Sequence, residues 1–139
     1  MPKKRSKSSP KNLKYRIVSK DRNSNWWLVM RQFMNQTFDT IQIEARNVSV
    51  FCAAVTSEGE IVGALAWKKL RDRAYISCGT IVYPKRYRKG GIGIRMWSTL
   101  ISHVKPKRMI VTTVSRGGKA LVEKLKKKHP RLDIVHRLS

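Results

Sequence analysis

The stretch Tyr87-Arg88-Lys89-Gly90-Gly91-Ile92-Gly93-Ile94-Arg95 sets three glycines among cations, between an apolar run closed by Pro84 and an amphipathic run that opens at Gly91. A loop that leaves a strand and feeds a helix presents unpaired backbone N–H groups at the positive end of the helix macrodipole, and such a place binds anions. Glycines let the backbone approach an anion closely and take positive φ, while Arg88 and Lys89 add counter-charge. Two familiar phosphate loops are excluded by spacing: GxxxxGK[ST] is absent, and Gly90-Gly91-Ile92-Gly93 does not complete GxGxxG.

Working outward, residues 91–104 read as a helix whose Ile92, Met96, Trp97, Leu100, Ile101 and Val104 make one apolar face, stopped by Pro106. Residues 109–114 read as a buried strand, 118–128 as a basic helix, and 132–138 as a last strand with Leu132, Ile134, His136 and Leu138 alternating. Upstream, residues 75–83 form a strand ended by Pro84. Residues 48–55 and 61–67 are β-branched and small-residue runs joined by Thr56-Ser57-Glu58-Gly59-Glu60, a hairpin pattern. Trp26, Trp27, Met30, Phe33, Met34, Phe38 and Ile41 recur at helical spacing, and Leu13, Tyr15 and Ile17 alternate with Lys14 and Arg16 as a first strand. The order is strand, helix, three strands, helix, strand, helix, strand. This is an α/β (α+β) domain with a central mixed, mostly antiparallel sheet of about six strands flanked by helices.

A chain of 139 residues, 41% of them hydrophobic, suits one domain with a real core. Residues 1–11, MPKKRSKSSPK, are too polar to order themselves and are expected to be a disordered basic arm, with the domain over 12–139. No run of eighteen apolar residues occurs and the start lacks an apolar h-region, so the expectation is a soluble, intracellular protein without a membrane partner, in the cytoplasm or nucleoid, or in a nucleus. Cys52 and Cys78 lie in apolar runs and read as reduced core thiols. With His103, His129 and His136 they form no paired spacing, so no metal is expected. The formal charge of +23 is unevenly placed: residues 1–20 carry +8, residues 21–84 carry +1, and residues 85–139 carry +14. A field of that sign attracts polyanions, of which nucleic acid is the commonest.

The run Arg88-Lys89-Gly90-Gly91-Ile92-Gly93 resembles the Arg/Gln-x-x-Gly-x-Gly/Ala pyrophosphate loop of the GNAT superfamily of acyl-CoA-dependent N-acyltransferases. The approach Ile81-Val82-Tyr83-Pro84-Lys85-Arg86-Tyr87-Arg88 and the element order are similar to that family too, over residues 12–138. The resemblance implies acetyl-CoA (coenzyme A) as cofactor. Backbone groups of Ile81 and Val82 would pair with pantetheine, and Arg88, Lys89, Gly90, Gly91, Ile92, Gly93 and Ile94 would cradle the pyrophosphate. It also makes Ser115-Arg116-Gly117-Gly118-Lys119-Ala120-Leu121-Val122-Glu123-Lys124 similar in spacing to the family's Asn-x-x-Ala-x-x-Leu-Tyr-Glu-Lys. Here Ser115 replaces the Asn, and Val122 replaces the tyrosine that protonates the leaving thiolate.

N-acylation needs a deprotonated amine, a polarised thioester carbonyl and a proton for the thiolate. The family commonly takes a carboxylate from the central strands, yet Tyr75-Ile76-Ser77-Cys78-Gly79-Thr80 contains none. The candidates for base are therefore Glu44 or a water held by Ser77 or Thr80, and for proton donor Tyr83 or Ser115. Coenzyme A accounts for few of the cations in the last third. Lys124, Lys126, Lys127, Lys128 and Arg131, with Lys3, Lys4 and Arg5 of the arm, suit phosphate contacts. The expected function is an N-acetyltransferase acting on, or while bound to, nucleic acid. The alternatives are a non-catalytic nucleic-acid-binding or structural protein on the same scaffold, and a protein or small-amine N-acetyltransferase.

Overall fold

A computed structural model describes residues 12–19, 25, 30, 33, 48–83, 87, 90–113 and 116–138. Six strands form one sheet in sequence order: β1 (Lys14–Ser19), β2 (Val50–Val55), β3 (Ile61–Arg71), β4 (Ala74–Val82), β5 (Arg108–Thr113) and β6 (Asp133–Leu138). The first four pair antiparallel, and short turns join β2 to β3 and β3 to β4, as that pairing allows. β4, β5 and β6 run parallel because helices α1 (Ile92–Val104) and α2 (Arg116–Lys128) carry the chain across.

Both crossovers step along the sheet in the same direction, and the usual right-handed connection then puts both helices on one face. The larger core fits this arrangement. It joins Cys52, Leu65 and Trp67 of the sheet to Ile92, Met96, Trp97 and Leu100 of α1, and to Val122 and Leu125 of α2. Each of the four α1 side chains is at most 1% exposed, which stabilises the fold by on the order of 2 kcal/mol apiece. Gly63 lets α1 lie close on β3: a Cβ there would stand 3.1 Å from Ile92 Cγ2 and from the thioether end of Met96. The opposite face holds a smaller cluster of Val18, Phe51, Ala53, Ala64 and Ala66. Met30, helical and fully buried, packs there with Phe33 beside it. The rest of the helix expected around residues 26–41 lies outside the described residues, as does the arm 1–11.

The β2–β3 turn closes as the hairpin pattern predicts, with the Thr56 N–H donating to Glu60 O at 2.9 Å and the Glu60 N–H to Thr56 Oγ1 at 3.0 Å. β3 runs four residues beyond the expected Trp67, to Arg71. Its extension is exposed on both sides, so it has no apolar alternation to reveal it. There the register skips Leu70, leaving that side chain 45% exposed.

Candidate active site

β4 carries the irregularity that shapes the site. Trp67 pairs with Ser77 and Ala66 with Gly79, so Cys78 is an extra residue, a β-bulge. The bulge reverses the alternation: Tyr75 packs toward the α1 side before it, and Thr80 and Val82 do so after it. β4 and β5 pair only over Ala74, Ile76 and the residue between, against Arg108 to Ile110. From Ser77 onward their ladder stops, although β4 continues to Val82 and β5 to Thr113. The two central strands therefore part just ahead of the glycine loop.

The start of α1 stands at the same end. Gly91 occupies the N-cap position with φ 80°, and no side chain caps the helix. That left-handed conformation is cheap for glycine and strained for other residues. The Gly90 N–H turns back to Tyr87 O at 3.2 Å, and the helix ladder begins with the Arg95 N–H on Gly91 O at 3.1 Å. The N–H groups of the first helical residues, Ile92, Gly93 and Ile94, precede that ladder and have no intrahelical acceptor. No acidic residue sits in the first turn to compete with an incoming anion. Ile92, 1% exposed, pins this end to the core, whereas a Cβ on Gly93 would meet nothing within 4 Å.

Of the chemical candidates, Ser77 and Thr80 are half-buried on β4, and Tyr83 is 55% exposed just past its end. The Trp97 indole N–H donates to Thr80 Oγ1 at 3.0 Å, which gives Thr80 a structural duty and leaves its own O–H able to donate. Trp97 leans on Trp67 with ring centres 5.3 Å apart, and Trp67 on Tyr75 at 5.7 Å. Val82 is buried, and the backbone of Ile81 pairs with Ala64 of β3. Val122 is fully buried in the core beneath α2, so this side chain supplies packing. Glu44, Arg88, Lys89, Ser115, Lys3, Lys4 and Arg5 lie outside the described residues.

Lys124, Lys126, Lys127, Lys128 and Arg131 are exposed, but they belong to the C-terminal end of α2 and the loop after it. That is the opposite end of the sheet from the glycine loop, so these cations and the α1 N-terminus form two separate places. His129, which its neighbours make look like a solvated helix end, is instead half-buried, its Nε2 3.3 Å from Ser98 Oγ of α1. Burial, helped by the Lys128 charge, holds its pKa below the ordinary value. Cys52 is an inert core thiol, pushed by burial up to about 12. Sequence reasoning missed one polar group near α1: the Tyr15 hydroxyl, buried beside the Arg95 guanidinium. Burial raises its pKa, and the Arg95 guanidinium partly offsets that. Its place on the apolar side of an alternating strand concealed it.

No protein-family model matches the sequence, and no curated protein matches it. Among solved structures, the chain is similar to an acyl-CoA N-acyltransferase, so named, from Klebsiella pneumoniae (15% identity, TM-score 0.43). The match covers 68% of this chain but only 64% of the length of that one. It is also similar to an acetyltransferase of the GNAT family from Staphylococcus aureus, with 16% identity over 84% of this chain and 82% of that one, at a TM-score of 0.53. At such identities the likeness is one of fold, and the fold of this chain is that of the GNAT acyltransferases.

Proposed function

We propose that the chain is an acetyl-CoA-dependent N-acyltransferase that works on, or while bound to, nucleic acid. The observation that carries this reading is the meeting of two features at one end of the sheet. The β4–β5 ladder ends early, and the uncapped N-terminus of α1 follows Gly90 and Gly91 directly. An extended amide-bearing arm fits between parted strands, and a pyrophosphate fits over a helix N-terminus whose front is open at Gly93. Arg88 and Lys89 supply counter-charge to that pyrophosphate.

In the reaction, the acceptor amine gives up a proton and attacks the thioester carbonyl carbon. The new C–N bond forms as the C–S bond breaks, and the departing thiolate takes a proton. Glu44, or a water held by Ser77 or Thr80, is assigned the base, and Tyr83 or Ser115 the donor. The strongly basic last third is the support for nucleic acid as partner. The burial of Val122 favours one second reading, a nucleic-acid-binding scaffold without turnover.

Calorimetry with acetyl-CoA on nuclease-treated wild type and Gly93→Glu separates the two. A Cβ at position 93 touches no protein atom, and an acidic residue in the first turn of a helix improves both propensity and the match to the macrodipole, so the variant is expected to melt at the same temperature or higher, gaining up to about 1 kcal/mol. Its carboxylate stands where the anion approaches, so acetyl-CoA affinity is expected to drop at least tenfold. Wild type that fails to bind acetyl-CoA at all overturns the enzyme and leaves the scaffold.

A further inference from the structure

The end of the sheet away from the glycine loop holds a cleft of about 600 Å³ lined by Arg73, Lys107, His129 and Arg131 together with an apolar wall of Ile101, Pro106, Pro130 and Leu132. Three loops far apart in sequence build it: the β3–β4 turn, the segment between α1 and β5, and the segment between α2 and β6. Backbone bonds stitch them together. The Lys107 and Arg108 N–H groups donate to Arg73 O at 2.7 and 3.2 Å, and the Asp133 N–H donates to Lys107 O at 3.2 Å. Arg73 also reaches across to close α1, its Nε and Nη2 donating to Lys105 O at 3.2 and 3.0 Å. Arg73 and Lys105 both hold positive φ, 56° and 55°, a costly conformation for residues with a Cβ that persists only where the surroundings fix it.

The cleft is thus held in shape, and no carboxylate lines it. Asp133, the acid that follows Leu132, is drawn off into an ion pair with Arg108 at 3.0 Å. Asp72 is exposed beside Arg73 outside the lining. The exposed cations Arg71, Lys105, Lys126, Lys127 and Lys128 each lie within three residues in sequence of a lining residue. A cleft of this size takes a group as large as a nucleotide, with cations for the phosphate and an apolar wall for the face of the sugar or base.

We propose that this cleft is the docking seat for the sugar-phosphate backbone of a nucleic-acid strand, remote from the thioester. The proposal rests on the nucleic-acid reading above and gives it a place. α1 links the two ends: its thirteen residues run from Gly91 at the glycine loop to Lys105 at the cleft, a span of roughly 20 Å. A nucleotide seated in the cleft is therefore not the one acylated. The strand is an anchor, and the acceptor amine lies some 20 Å along it or on something bound to it.

The probe is a fluorescein-labelled single-stranded 20-mer, with affinity read by anisotropy against salt. Lys107→Glu/Arg131→Glu is compared with the charge-matched pair Lys14→Glu/Arg137→Glu on the edge strands β1 and β6. The cleft variant is expected to lose at least tenfold affinity at about 0.1 M salt, and its salt slope to shrink by roughly 1 to 2. The control is expected to change much less. Lys107→Gln/Arg131→Gln repeats the test without charge reversal, and unchanged melting shows that the fold is kept. Acetyl-CoA calorimetry on the same samples should not move, so failure of the seat and failure of the acyltransferase reading are told apart. Equal losses in the cleft and control pairs would mean a diffuse field with no seat. Polyglutamate competing as well as unlabelled oligonucleotide would assign the cleft to an acidic polypeptide. Either result overturns the proposal.

Discussion

Two tryptophans on facing elements show how differently one residue type can be used in this core. Trp67 of β3 and Trp97 of α1 are 0% and 1% exposed and lean on each other, yet only the Trp97 indole N–H has a partner, Thr80 Oγ1. The Trp67 Nε1 has none among the described residues. A buried donor left unpaired costs free energy, and a paired one repays most of its desolvation. Replacing each by phenylalanine removes similar volume, so the difference between the variants isolates the hydrogen bond. Trp97→Phe is expected to destabilise by about 1 kcal/mol more than Trp67→Phe in urea denaturation. Equal losses would mean that the Thr80 contact contributes nothing net. Thr80→Val should cost about 1–3 kcal/mol by orphaning the Trp97 N–H. That structural cost must be subtracted before any fall in turnover is credited to Thr80 in the chemistry.

At the scale of elements, the parted strands make a prediction of their own. Segments of β4 beyond the bulge have β3 on one side and no β5 ladder on the other. If an extended pantetheine arm lies there, peptides spanning residues 77–83 should gain protection from amide hydrogen exchange when acetyl-CoA is added. Peptides from β2, fully buried and paired on both sides, should not change. Protection confined to the α2 end would place the cofactor elsewhere. The junction itself was legible beforehand, because Pro84, the glycines and the stripe Ile92, Met96, Trp97 and Leu100 are local signals. The bulge was not: Cys78 is one extra residue in an apolar run, and only the register with β3 exposes it. Nor was the basic cleft. Arg73 and Lys107 are separated by a strand, a loop and a helix, and each looks in sequence like an ordinary surface cation. Val122 was legible as a departure from the family pattern, but its burial under α2 came from the structure.

For the molecule as a whole, 31 cations face 8 acids, so even complete pairing would leave a charge of +23. Arg108 pairs with Asp133, both more than half exposed, and such a pair contributes little. Self-repulsion is then the main long-range electrostatic force on the folded chain, and salt screens it. Raising NaCl from about 0.05 to 0.5 M shortens the screening length from over 10 Å to roughly 4 Å. The expected result is a gain on the order of 1 kcal/mol, or roughly 4 °C in melting temperature. The same salt weakens oligonucleotide binding, because each phosphate contact releases counterions that must then be recaptured from a more concentrated solution. Stability and affinity should therefore move in opposite directions along one salt titration. A melting temperature that falls with salt would mean that attractive pairs outweigh the excess of like charge. The basic ends would then be internally compensated and no longer poised for a polyanion.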